Sequence, residues 1–311
     1  MNIRETFIYK YIREYIRRIQ CRINPVKEVD RCYYSAFHKH WDSENPKDLI
    51  EKIYWLELNT DTSLWSKCAD KYRVREYIEE LGLSKYLPKL YGHWDRIKDI
   101  DFDALPNSFV IKSNNGCATV KVVKDKTSLN IKKAKKELWK WLHLPFGADN
   151  AQFHYWAIKP CIIAEELLPN DYESLSPQSL VDFKVYCING EPQFIWVAYN
   201  RVNMHVHVQC YDTEWNPRPD YLVNSMSHYV YDDKDTPIQK PDCLEEMLHI
   251  AKKISASFPQ LRADFYIVNG KPIIGEMTFT QGYGFLKKEV YESLGAMMNL
   301  SKYMRKGTET N

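Results

Sequence analysis

Residues 261–280 read LRADFYIVNGKPIIGEMTFT, two strand-like runs joined at Asn269-Gly270, a dipeptide that strongly marks a tight β-hairpin. Strand side chains alternate with period two, so the turn length decides which residues share a face. A two-residue loop pairs Val268 with Lys271 and sends Asp264 and Glu276 to opposite faces. A three-residue loop, Asn269-Gly270-Lys271 with Gly270 at positive φ, pairs Val268 with Pro272 and Asp264 with Glu276. This second register also gathers Ala263, Phe265, Ile267, Ile273, Met277 and Phe279 on one apolar face, a pattern that favours the longer loop. Two carboxylates facing each other across a ladder repel unless a cation lies between them. A hard divalent ion with oxygen ligands, such as Mg²⁺ shared with phosphates, meets that need. An edge hairpin whose acids pair with Arg262 or Lys271 meets it equally well.

Outward from the hairpin, short β-rich runs cover 109–113, 161–168, 182–188, 193–199, 261–268 and 272–279, with helical periodicity over 131–144 and 244–257. This order describes α+β lobes built on antiparallel sheets. Helical patterning also fills 45–92, with Asn45-Pro46 as a start and Gly82 as a stop. The resulting division is a helical N-terminal region over 1–100, a small lobe over 101–160 and a large lobe carrying the hairpin over 161–311. The tail after Lys302 reads as loose.

The chain has 311 residues, 44% of them hydrophobic, enough for a substantial core. Its 43 basic residues interleave with 41 acidic ones for a net charge of +2, which provides no chain-wide positive field for nucleic acid. Eight cysteines lie scattered without a CxxC pair, which fits reduced thiols in a cytoplasmic enzyme better than a zinc site or a disulfide framework. No apolar run reaches membrane-spanning length, and the N-terminus lacks a signal-peptide pattern. Residues 3–23 form a basic amphipathic helix with Ile8, Ile12, Tyr15, Ile16, Ile19 and Ile23 on one stripe. Docking on the protein's own body or on a second subunit is the first reading of that stripe. A peripheral anchor at the inner face of a membrane, or a contact with polysaccharide-assembly machinery, is the second.

Among isolated candidates, His205 and His207 share a strand face, which suits a polar sheet surface better than a transition-metal pair. Arg201, just before them, has the planar fork that suits a carboxylate substrate, with a surface salt bridge as the other reading. Gly282-Tyr283-Gly284 follows the hairpin and shapes a loop. Nine tryptophans, among them Trp139, Trp141, Trp156, Trp196 and Trp215, supply core and stacking surface. Neither a Walker A motif nor a GxGxxG fingerprint is present.

In order along the chain, NPKDLIEKIYWLEL, ADKYRVREYIEELGL, FVIKSNNG, IIAEELL, VDFKVYCINGEP and ADFYIVNGKPIIGEMTFTQGYG resemble the TupA-like (teichuronopeptide biosynthesis) ATP-grasp proteins of bacterial surface-polysaccharide gene clusters. The matching stretches run from Asn45 to Gly284. The resemblance implies an ATP-grasp fold, two α+β lobes with antiparallel sheets around ATP, with Mg²⁺ as cofactor and two ions in the site. It assigns Lys112 to the α- and β-phosphates, Glu165, Glu166, Leu167 and Leu168 to the adenine edge, and Asp171 or Glu173 to the ribose. Lys184 goes to the terminal phosphate, and Asp264 and Glu276 to the metal, with Glu276 bridging two ions. Thr278 stands where the fold usually has an asparagine ligand. The loop after Lys112 reads Asn114-Asn115-Gly116-Cys117-Ala118-Thr119 where the family is richer in glycine, so Asn115, Gly116 and Thr119 take the place of a flexible phosphate lid.

The activity this implies is ATP-dependent ligation of a carboxylate, a uronic acid of a surface glycan, to an amine through an acyl phosphate. A kinase acting on a glycan acceptor, or a non-catalytic glycan- or partner-binding protein on the same scaffold, are the alternatives. On this reading Asp264→Asn leaves folding largely intact and removes ATP turnover.

Overall fold

The computed structural model describes residues 6–202, 205–223, 229–231 and 236–304; the expected helix residues 3–5 and most of the C-terminal tail lie outside them. Helices are α1 (Phe7–Ile23), α2 (Pro25–Phe37), α3 (Leu49–Asn59), α4 (Ser63–Ala69), α5 (Val74–Glu80), α6 (Ile131–His143), α7 (Leu244–Ser255), α8 (Lys288–Met297) and α9 (Ser301–Met304). Strands are β1 (Leu90–Trp94), β2 (Phe109–Ser113), β3 (Val120–Val123), β4 (Ile162–Glu165), β5 (Asp182–Ile188), β6 (Glu191–Val202), β7 (His205–Asp212), β8 (Tyr229–Val230), β9 (Gln260–Val268) and β10 (Lys271–Thr278).

The chain forms two compact units. One comprises Met1–Cys32, Asp61–Glu79 and Leu87–Leu168, and the other Tyr33–Thr60, Glu80–Tyr86 and Pro169–Asn311. Each therefore draws on the first hundred residues, and that stretch includes the strand β1. The expected helix start at Asn45-Pro46 falls three residues further on, because Asp48 accepts the Glu51 amide while Glu51 reaches back to the Asp48 amide in a capping box. Gly82, at φ +68° just past α5, stops that helix as its position in the sequence suggests.

In the first unit the strands run β1-β4-β2-β3, all antiparallel. Alternation along β2 buries Phe109 and Ile111 with Ile162 and Ala164 of β4, and Leu138 of α6 closes that core. Lys112, Ile163 and Glu165 consequently lie on the opposite face.

In the second unit the order is β10-β9-β5-β6-β7-β8, antiparallel except for the short parallel β7–β8 pair. Helix α7 covers one face of β5, β6 and β9, with Met247, Ile250, Ala251 and Ile254 buried.

The hairpin turn differs from its expected form. Lys271 pairs with Val268, so the loop has two residues, Asn269 (φ +51°) and Gly270 (φ +70°), the pair of positive dihedrals of a type I′ turn. Asp171 locks this turn by accepting both loop amides, Asn269 at 2.9 Å and Gly270 at 2.8 Å. That register alone would part the two carboxylates. A β-bulge between Ile274 and Glu276 adds one residue, Gly275, and brings Glu276 opposite Asp264.

The bulge also rearranges the apolar face. Pro272 and Ile274 pair with Ile267 and Phe265, while Ile273 pairs with Tyr266 and falls on the carboxylate side. Gly275 is required by space, since a Cβ there would lie 2.8 Å from the Tyr266 ring and 3.3 Å from the Asp264 carbonyl.

Gly275→Val is expected to lower stability by about 1–3 kcal/mol through overpacking. Gly270→Ala, with open space around its Cβ but φ +70°, should lose about 1–2 kcal/mol through backbone strain alone. Urea unfolding of both variants checks the two values.

Candidate active site

Three adjacent strands, β10, β9 and β5, place their polar residues on the sheet face opposite α7. Cross-strand pairing aligns Glu276 with Asp264 and Asp264 with Lys184, and sets Arg262 beside Thr278 and Tyr186. Asp264 is buried, and both its oxygens are engaged. Arg262 donates Nε to Oδ1 and Nη2 to Oδ2, each at 2.7 Å, and Lys184 Nζ reaches Oδ2 at 2.7 Å. Arg262 Nη2 also donates to the Thr278 hydroxyl at 3.1 Å. Asp182 lies 3.6 Å from Lys184 and 3.5 Å from the half-exposed Arg201, which stands at the rim of the cluster.

Burial disfavours the charged form of Asp264, but Arg262 and Lys184 outweigh it and hold the carboxyl below its usual range. Burial likewise works against the Lys184 ammonium, and Asp182 and Asp264 reverse the effect, leaving it raised. Tyr266 is pushed well up, first by Asp182 and then by burial, so its phenol stays protonated.

The same face carries two buried donors with no hydrogen-bond partner, the Tyr186 hydroxyl and the Trp196 indole N–H. Such orphans are costly unless a ligand or water meets them.

Mg²⁺ suits this donor set. Asp264, Glu276 and Thr278 offer oxygen atoms only, and a carboxylate oxygen that already accepts one hydrogen bond retains a second lone pair. Among the described residues no cluster of three His, Cys, Asp or Glu side chains has metal-holding geometry.

On the first unit, Lys112 is paired with Glu165 at 2.5 Å, and Arg75 of α5 holds the other Glu165 oxygen at 2.6 Å and the Pro88 carbonyl at 2.7 Å. Burial opposes ionisation of Glu165, yet Lys112 and then Arg75 bring its pKa below the usual value. The Glu165 side chain therefore anchors a lysine. The Glu166 amide donates to the Lys89 carbonyl at 2.9 Å, and its side chain accepts the Lys89 amide at 3.0 Å. That amide is spent on the β1 side, and partly exposed Leu167 and Leu168 continue the chain beyond β4.

The loop after Lys112 is pinned. Ser113 and Thr119 hydroxyls meet at 2.6 Å, Lys71 Nζ donates to the Gly116 carbonyl at 3.1 Å, and Asn114 bridges Lys159 and Cys161. A Cβ on Gly116 would strike the Thr119 hydroxyl at 2.2 Å, and Asn115 is buried. Thr119, expected to donate to a phosphate, is occupied by Ser113.

Asp171 has a structural task in the hairpin beside its expected ribose role, since each of its oxygens accepts one turn amide. His205 and His207 sit on β7 beside Val202 and Tyr199 as sheet-surface residues. Arg262, Asp182, Tyr266 and Arg75 were not singled out for roles in the site. The spacings Arg262-x-Asp264 and Asp182-x-Lys184 carry the signal for the first two, since period two sets each pair on one face.

A family model described as TupA-like ATPgrasp matches residues 51–299, and the chain belongs to that family. No curated protein shows significant sequence similarity to it. Among solved structures it is similar to D-alanine–D-alanine ligase from Bacillus anthracis, with 16% identity, 81% of this chain and 76% of that one covered, and a TM-score of 0.48. The same ligase complexed with ATP matches at 14% identity over 77% and 67% of the two chains, with a TM-score of 0.46. The ATP-grasp ligase PsnB, complexed with a phosphomimetic variant of its minimal precursor, Mg and ADP, matches at 13% identity over 79% and 65%, with a TM-score of 0.40.

The expectation that Asp264→Asn leaves folding intact is corrected by the geometry. The substitution removes the carboxylate that Lys184 and Arg262 share, leaving Lys184 with Asp182 at 3.6 Å and Arg262 with Thr278 at 3.1 Å, and should lower stability by about 1–3 kcal/mol. Because the folded pKa of Asp264 and Glu165 is depressed, both stabilise the fold above the ordinary carboxylate range. That contribution should fade as pH falls below it. Thermal melts against pH should show acid destabilisation, with a smaller acid slope in Asp264→Asn.

Proposed function

We propose that the protein is an ATP- and Mg²⁺-dependent ligase that joins a carboxylate to an amine. The observation that carries this reading is the bulge-set opposition of Glu276 to Asp264, with Lys184 and Arg262 on the same face. Family membership supports the nucleotide, and the oxygen-only donor set supports the ion.

In this reading Asp264, Glu276 and Thr278 hold Mg²⁺, which neutralises phosphate charge when bound. Lys184 and Arg262 place fixed positive charge against the negative charge of the transferring phosphoryl group. Arg201, reaching Asp182 from the rim, holds the substrate carboxylate with its planar fork. On the first unit, Lys112 is assigned the α- and β-phosphates, with Glu165 and Arg75 fixing its direction.

The carboxylate oxygen attacks the γ-phosphorus and ADP leaves, giving an acyl phosphate. The amine nitrogen then attacks the acyl carbon, phosphate departs and the amine gives up a proton. A uronic acid of a surface glycan is the carboxylate that the family context supports, with an amino acid or amino sugar as the amine.

Incubation with ATP, Mg²⁺, uronic acids and amines should yield ADP, phosphate and an amide detected by mass spectrometry. A phosphorylated product stable to hydroxylamine would instead show transfer to an acceptor hydroxyl, and the ligase reading would fall. Glu276→Gln should abolish Mg²⁺-dependent ATP binding in calorimetry while the circular dichroism spectrum stays unchanged. Full binding by that variant would remove Glu276 from the metal site.

A further inference from the structure

The first helix docks the wrong way round for an ordinary surface helix. An amphipathic helix normally turns its apolar stripe to the body of the protein. In α1 the charged side faces inward instead. Glu14 accepts the amides of Ala148 at 3.0 Å and Asp149 at 3.1 Å. Arg13 forks onto the Asp149 carboxylate, Arg17 reaches Glu28 at 3.3 Å, and the Arg18 guanidinium lies 5.0 Å over Trp156. The opposite side carries Ile8, Ile12, Tyr15, Ile16, Ile19 and Ile23, which are 43–78% exposed.

This apolar strip continues onto α6. Phe7 places its ring 6.1 Å from Trp139, which is 49% exposed, and Lys132, Lys133, Lys136 and His143 are exposed on the same helix. Each of the two helices carries five basic residues and one acid, whereas the whole chain has a net charge of only +2. Positive charge is thus concentrated around one exposed apolar strip.

We propose that α1, together with Trp139 and the lysines of α6, is a docking surface for an anionic lipid bilayer. In that position α1 lies in the plane of the interface, its isoleucines at the acyl boundary, with the exposed Lys10 and Arg22 and the exposed lysines of α6 among the headgroups. Tyr11, Tyr15 and Trp139 add amphipathic rings of the kind that settle at such an interface. Charge complementarity selects this occupant over a second copy of the chain, since a two-fold pairing of the strip would bring the exposed Lys10 and Arg22 and the lysines of α6 near basic residues of the other copy. It also selects lipid over nucleic acid, because phosphate contacts make no use of six exposed apolar residues. No helix among the described residues is long and apolar enough to cross a membrane, which is consistent with a surface mode.

The test is co-sedimentation of the full chain with phosphatidylcholine vesicles, with and without phosphatidylglycerol, at low and high salt. Binding should be at least about tenfold tighter with phosphatidylglycerol and should weaken with salt. The triple substitution Ile12→Glu, Ile16→Glu, Ile19→Glu touches only solvent-facing positions. It should keep the wild-type melting curve and lose binding by about tenfold or more. Failure of the wild-type chain to sediment with anionic vesicles overturns the proposal. So does a dimer in light scattering that the triple variant abolishes, which would assign the strip to a second copy. Vesicle binding unchanged in the triple variant would overturn it too, by showing that the basic residues act without the apolar stripe.

Discussion

Side-chain alternation leaves no freedom at Asp264. Once β9 pairs with β5 so that Asp264 meets Lys184, every charged residue of the cluster must arrive on that face or on the apolar face against α7. Glu276 arrives there through one extra residue, Gly275, which shifts the register of β10 after Ile274. The same shift keeps Met277 in the core, fully buried opposite Ala263. A single inserted glycine therefore serves packing on one side of the sheet and electrostatics on the other. Asp171, by holding both turn amides, fixes the starting point from which that register is counted.

Charge balance explains why so polar a face is stable inside the fold. An unpaired buried ion costs several kcal/mol in desolvation. Here Asp264 is met by two cations, and Lys184 by two acids. Glu276 adds a further negative charge directly across the ladder from an acid already held by Arg262. The cluster is thus satisfied at Asp264 and presents the carboxylate and hydroxyl oxygens of Glu276 and Thr278 along β10.

Much of this architecture was legible in the residues because alternation and turn chemistry are local. The strands at 109–113 and 182–188 and the helix from Ile131 have the limits their patterning implies. The turn is shorter than the pattern implies for a physical reason: an unbroken period-two count can reconcile Asp264, Glu276 and the apolar positions only with a longer loop. Gly275 was the available signal, since a glycine inside a strand often marks a bulge. Strand β8, with two residues, lies below the length at which patterning speaks clearly, and the start of β1 falls inside the helical patterning of 45–92. The contact of Lys184 with Asp264 depends on β9 lying beside β5, a pairing across 80 residues that no local rule supplies. The pinning of Thr119 by Ser113 and of Asp171 by the turn likewise required coordinates.

The same motif of charge arises independently in each unit. A buried carboxylate, Glu165 in one and Asp264 in the other, holds a strand lysine and an arginine at once. Neither lysine is left bare, since each already has a carboxylate against its ammonium group. The anchoring acid also fixes the direction of a flexible four-carbon side chain, which lowers the entropy lost when that lysine meets an anion. An incoming phosphate would then compete with a carboxylate already in place, and it binds only where its greater charge wins that exchange. On this argument the acids set the threshold for anion binding, and the arginine beside each one keeps the carboxylate satisfied when its lysine turns away.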